Sequence, residues 1–162
     1  TYQGTERGVL VTSVLHRVSG GREVPRFGKC FRLDAAFDAV HYLGRCGESY
    51  CDMKDQFPIR AVDCTVADMV EPNLRPQESG NRTDCTVATV SDGKTRVVFE
   101  AVGRPFELGI KPYTDRELLA MKHREDEVRT GTYVTVQAFD PFSLSQMVVY
   151  HILRNRSTIA VL

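Results

Sequence analysis

The chain of 162 residues has no net charge, with Lys+Arg and Asp+Glu at 21 each. That removes the electrostatic attraction to phosphate backbones and anionic membrane surfaces, so nucleic acid is not expected as a partner. No run of about 18 apolar residues occurs, and no charged-then-apolar leader opens the chain. Membrane insertion is therefore not expected, and with no initiating Met the chain reads as a processed or trimmed piece. Gly-x-Gly-x-x-Gly, Gly-x-x-x-x-Gly-Lys and Gly-x-Ser-x-Gly are all missing, which leaves nucleotide-binding and serine-hydrolase chemistry without an anchor.

A hydrophobic share of 42% and a charged share of 26% describe a chain able to bury a sizeable core. We expect a single β-rich domain over 1–162, with two related halves, about 1–80 and 81–162, as the alternative partition. The pentapeptide Asp-Cys-Thr-Val-Ala occurs at Asp63 to Ala67 and again at Asp84 to Ala88. Both copies alternate polar and apolar residues, so two like strands are expected to lie near one another.

Turn chemistry divides the second half. Asp92-Gly93 separates Thr86 to Val90 from Thr95 to Val102, predicting a hairpin with a type I′ turn. Phe106, Leu108 and Ile110 alternate in a third strand that Pro112 ends. Thr114-Asp115-Arg116-Glu117 is a capping box and predicts a surface helix running to Arg129. Strands at Tyr133 to Phe139, Leu144 to Leu153 and Thr158 to Leu162 follow. In the first half Gly8 to Val18 reads as a strand, while Cys30 to Leu43 suits either a helix capped by Asp34 or a strand. The fold class expected is mainly β, an antiparallel sandwich or meander of about eight strands with one surface helix.

The five cysteines are Cys30, Cys46, Cys51, Cys64 and Cys85. The pairings to draw first are Cys64 with Cys85, whose sulfurs share a strand phase, and Cys46 with Cys51, leaving Cys30 over. Two of the three asparagines lie in glycosylation sequons, Asn81-Arg82-Thr83 and Asn155-Arg156-Ser157. Bridges and glycans together point to an extracellular or luminal place, against a cytoplasmic alternative with buried, reduced thiols. Cys46, Cys51, Cys64 and His41 have ligand chemistry that suits zinc, but their spacing fits no common knuckle, so neither metal nor cofactor is expected. His16, His41, His123 and His151 are scattered without a nucleophile setting, and Asp52, Asp55, Asp63 and Asp68 sit in polar stretches.

Tyr133 to Val149, an extended strand ending in aromatic-Asp-Pro before a reversal, resembles the strand-and-loop edge of C2-type β-sandwich domains, as Phe31 to Val40 does more loosely. With one carboxylate at Asp140, the resemblance implies a calcium-independent sandwich. Val97 to Lys111 resembles strands of metalloprotease prodomains, without a cysteine switch. The function expected is a non-catalytic protein–protein interaction module of a secreted or cell-surface glycoprotein. The alternatives are an intracellular scaffold in a larger assembly and an enzyme of unrecognised type.

Overall fold

The computed structural model describes residues 1–14, 26–49, 54–74, 76–77, 79–139 and 158–161. Its strands are β1 (Tyr2–Thr5), β2 (Gly8–Val14), β3 (Phe27–Leu33), β4 (Ala39–Arg45), β5 (Ile59–Thr65), β6 (Asn81–Cys85), β7 (Val87–Ser91), β8 (Arg96–Val102), β9 (Phe106–Lys111), β10 (Thr132–Phe139) and β11 (Thr158–Val161). They form an antiparallel seven-stranded sheet in the order β1-β2-β11-β8-β7-β4-β5, and a four-stranded one in the order β3-β10-β9-β6. This is the mainly β sandwich that the alternation predicts.

Period-two burial explains the pairing. Val40 and Tyr42 on β4 point inward opposite Val90 and Ala88 on β7, while His41 and Leu43 point outward. From the other sheet Phe106, Leu108 and Ile110 of β9 and Val134 and Val136 of β10 close the same core. Each such side chain removes apolar area worth roughly 1.5–3 kcal/mol. The core lies between the sheets, so either sheet alone would expose one whole apolar face.

Several local expectations are refined by what surrounds them. The Asp92-Gly93 hairpin forms, but only Gly93 has positive φ (88°), whereas a type I′ turn needs two such residues. Instead Asp92 Oδ1 accepts from the backbone N–H groups of Lys94 (2.8 Å) and Thr95 (2.6 Å). The stretch 30–43 is strand-turn-strand. Asp34 does not cap a helix; its Oδ1 accepts from Ala36 N–H in an Asx turn.

The predicted helix is shorter than expected. Its capping box is present at Thr114 and Glu117, yet α1 spans only Asp115–Ala120. Leu119 and Val128 are exposed, so no apolar face carries the helix further. Beyond it, Asp126 accepts from the N–H groups of Lys122 and His123 and starts a separate 3-10 turn. The expected strand at 144–153 and the turn at 19–22 lie outside the described residues.

The two Asp-Cys-Thr-Val-Ala copies diverge. The first ends β5 and turns into a 3-10 segment at Ala67–Met69. The second ends β6 and crosses into β7, joining the two sheets. β5 is the edge of the large sheet and β6 the edge of the small one, so the copies are not paired strands.

Candidate functional site

The densest buried polar chemistry lies where the end of β4 meets β6 and β9. β6 carries Asn81, Arg82 and Thr83, all buried, although strands at sheet edges are ordinarily wet. Its register against β9 breaks between Arg82 and Cys85. There Asp84 adopts φ 56°, a left-handed conformation that Asp tolerates better than most residues. Such bulges re-aim side chains at functional rims and edges.

The bulge turns β6 toward the segment after β4. Ser49 is fully buried; its N–H donates to Asn81 O (2.8 Å) and its carbonyl accepts from Asn81 Nδ2 (2.9 Å). Ser49 Oγ accepts from Thr83 N–H (3.0 Å) and lies 3.0 Å from Thr83 Oγ1. Asn81 Nδ2 also donates to Glu107 Oε2 (3.1 Å), and Glu48 Oε1 accepts from Gly80 N–H (3.1 Å). Gly80 has φ 89°, and a Cβ there would strike the Met69 carbonyl, so glycine is required at this approach. On the rim, Arg45 ties the same segment down, donating to Asp84 Oδ2 (2.9 Å) and to Phe57 O (2.8 Å).

Arg82 is the centre of this cluster. Its guanidinium donates to Asn81 O (3.2 Å) and bonds the Tyr42 hydroxyl. Among the described residues no partner meets Arg82 Nε or Asn81 Oδ1. Burial pushes the Cys64 thiol up to about 11, with Arg82 partly opposing it. Burial raises Cys85 further still. Both thiols are thus protonated and unreactive at neutral pH. Cys85 donates weakly to the carbonyls of Arg82 (3.6 Å) and Thr83 (3.8 Å). The arrangement orders backbone and holds a positive charge against the core; it is not an activated nucleophile.

The predicted site residues fare differently. Cys64 and Cys85 both approach Tyr42 but from different sheets, and Cys30, Cys46, Cys64 and Cys85 are free thiols. The expected Cys64 to Cys85 bridge is therefore corrected, because its premise of neighbouring strands fails. Cys51 and Asn155 lie outside the described residues, as do Asp52, His16 and His151. Asn81 is buried and its Nδ2, the atom a glycan would occupy, already serves two acceptors, which corrects its reading as a glycosylated surface residue. His41 faces out and meets Asp63 at 2.8 Å, on the opposite side of the sheet from Cys64. Asp68 accepts from Thr65 N–H and Oγ1, bonds that hold its carboxyl below the usual range. Asp55 reaches Arg45 at 3.5 Å. Ser49 and Glu107 carried no motif and Arg82 only filled the variable place of a sequon, so only the fold brings them together.

The model of the family described as beta galactosidase small chain matches residues 1–140. The chain is 39% identical over 103 residues to a beta-galactosidase of Priestia megaterium, covering 62% of this chain and 10% of that protein. It is 30% identical over 139 residues to a beta-galactosidase of Staphylococcus xylosus, covering 83% of this chain and 14% of that one. With a beta-galactosidase of Streptococcus thermophilus the identity is 28% over 142 residues, 85% of this chain and 14% of the relative. The chain thus spans a small fraction of the curated relatives it matches.

These findings overturn five expectations. The C2-type resemblance fails, since one strand ending in aromatic-Asp-Pro is common to many sandwiches and the match over 1–140 is to another family. The non-catalytic glycoprotein module, and the expectation that no enzyme is involved, are overturned by the match to the beta galactosidase small chain family and by relatives that are beta-galactosidases. A tenth of such a protein need carry no catalytic signature. The keywords secreted, glycoprotein, disulfide bond and structural protein lose their support, and so does the extracellular or luminal placement. The relatives are bacterial beta-galactosidases, the described thiols are unpaired and Asn81 is buried. The description of the family as a small chain is in keeping with a protein partner in its general form. No helix among the described residues is long and apolar enough to cross a membrane.

Proposed function

We propose, because the chain belongs to the beta galactosidase small chain family, that it is the sandwich segment of a bacterial beta-galactosidase acting on β-linked galactosides in the cytoplasm. Its task there is to assemble with the part of the enzyme that performs the hydrolysis. The observation that carries this reading is the family match over residues 1–140, in a chain spanning only 10–14% of the relatives named above. Glycoside hydrolysis ordinarily takes two carboxyl groups facing each other across the scissile bond, roughly 5–9.5 Å apart. Of the described carboxylates, Glu48 and Glu107 are engaged inside the β4–β6–β9 junction. The described cavity beside β2 and β8 contains only Glu100. On this reading the reacting pair comes from the rest of the enzyme, and this segment helps to frame it.

The test is a chimera in which this chain replaces the matching segment of the Staphylococcus xylosus protein. The chimera is expected to hydrolyse o-nitrophenyl β-galactoside, and the chain alone to leave it intact. Hydrolysis by the isolated chain, or a folded but inactive chimera, would overturn the reading.

A further inference from the structure

One face of the large sheet packs on the core, and an antiparallel sheet of this kind ordinarily carries polar side chains on the other. The alternation fixes which residues turn outward. Tyr42 of β4 faces inward with its partners Val62 and Ala88, so Leu43 faces outward between its own partners, Ala61 of β5 and Val87 of β7. Diagonal to that row, Ile59 lies two residues before Ala61 on β5, and Val102 of β8 lies two residues past Glu100, the partner of Val87. Diagonal neighbours are within reach of one another, about 7–8 Å apart. Ile59 is 53% exposed, Val102 41% and Leu43 37%. These side chains make one apolar patch across β5, β4, β7 and β8, and the next row along the strands is polar, with Asp63, His41 and Thr89.

The outer face of the small sheet is finished differently. There Asn81, Lys111 and Tyr133 turn away from the core and are nevertheless buried, Asn81 against Ser49 and Lys111 against Asp115 of α1. The chain thus covers that face with its own residues and leaves aliphatic side chains of the large sheet in solvent. The patch has no free carboxylate to attract a basic surface. Asp63 and Glu100, which flank it, are each paired, with His41 at 2.8 Å and with Arg7 at 3.6 Å.

The size of the patch selects between occupants. Four strands about 4.8 Å apart and two outward positions about 6.8 Å apart enclose roughly 260 Å². That is about a third of the ~800 Å² which each partner buries in a stable complex of separate molecules. Two copies meeting here would hold only weakly. A domain of the same polypeptide needs far less, because the covalent link supplies a high effective concentration.

We propose that this patch is a docking face, covered in the assembled enzyme by an apolar surface of a neighbouring domain of the beta-galactosidase polypeptide. This rests on the reading of the chain as part of that enzyme, since it covers only 10–14% of the relatives named above. Leu43, Val87 and Ala61 form the centre of the contact, Ile59 and Val102 its margin, and the His41 and Asp63 pair belongs to the polar rim.

The experiment uses the chimera described above, with no galactoside present. The photo-crosslinking residue p-benzoylphenylalanine replaces Ile59, and the crosslinked peptides are identified by mass spectrometry. The expected product joins β5 to a peptide of the Staphylococcus xylosus portion. Adding Leu43→Lys and Val102→Lys is expected to cut its yield by about tenfold or more, because each brings an unpaired charge into the contact. The same two changes are expected to leave the isolated chain folded, since both side chains stand partly in solvent. Absence of the product would overturn the proposal, as would a yield that the lysines do not change. So would a product joining two copies at this face, since the occupant would then be a second copy. If the lysine variant fails to fold, presence or absence of the product in the chimera without the lysines decides. Hydrolysis is not the readout: an inactive chimera that gives the product defeats the proposed function alone, and an active one that does not defeats the docking face alone.

Discussion

The junction of β4, β6 and β9 and the seam between β2 and β8 are two edges of one sandwich, finished in opposite ways. At the junction an edge strand is closed from within: Asn81 and Thr83 take their bonds from Ser49, and Arg45 clamps the rim through Asp84 and Phe57. At the seam a cavity of about 510 Å³ is lined by Gly8 and Val9 of β2 and by Val97, Val98 and Phe99 of β8. The difference teaches that one edge is closed by polar bonding while the other is lined by apolar side chains. Buried polar groups must be bonded or they cost about 1–3 kcal/mol each, and the junction meets nearly all of that demand from its own residues. The seam, lined chiefly by apolar side chains, makes little such demand.

The largest blow to this contrast comes from Asn81→Ala. It strips the donor from both Ser49 O and Glu107 Oε2 inside a buried cluster, and we expect a loss of about 2–4 kcal/mol, measured as the denaturant midpoint at unchanged slope. A loss below about 0.5 kcal/mol would mean the junction is not self-supporting.

A pH series sharpens the same side. Burial raises the folded pKa of Cys64 from an ordinary 9.0 to about 11. The folded state then holds its proton more tightly than the unfolded chain, so the thiol's contribution is complete below pH 9 and falls away as pH rises toward 11. Stability should decline across that interval in the parent and less steeply in Cys64→Ala. Parallel profiles would show that Cys64 meets water.

The smallest effect belongs to the seam. Arg7 is exposed and Glu100 half-buried, so Arg7→Ala should change stability by less than about 0.5 kcal/mol. A larger loss in thermal unfolding would show that the ion pair holds the cavity between β2 and β8 in shape.

The repeated pentapeptide shows where sequence reading stops. Its alternation correctly signals extended backbone, yet Cys64 ends beside Val40 on one sheet and Cys85 on the edge of the other. Likewise the cap at Thr114 is legible because Thr and Glu bond their neighbours' N–H groups within one turn. The end of that helix is not, because it depends on whether Leu119 and Val128 find a surface to cover, and they do not. The sequon at Asn81 looked like surface chemistry for the same reason: a three-residue motif carries no information about burial.

By itself the sequence determined the class of the molecule. Period-two alternation in β4, β7 and β9 and turn residues at short spacing leave an antiparallel sandwich as the way to bury one face of every strand. Tertiary structure alone decided the junction and the seam. Ser49 meets Thr83 across 34 positions and Asn81 meets Glu107 across 26, and Phe31 of one sheet reaches Phe99 of the other, the ring centroids 5.1 Å apart, beneath the seam. Local patterns fix which way a side chain points relative to its own strand. Which strand lies opposite is set by packing both sheets onto one core, and the chemistry of this domain follows from that pairing.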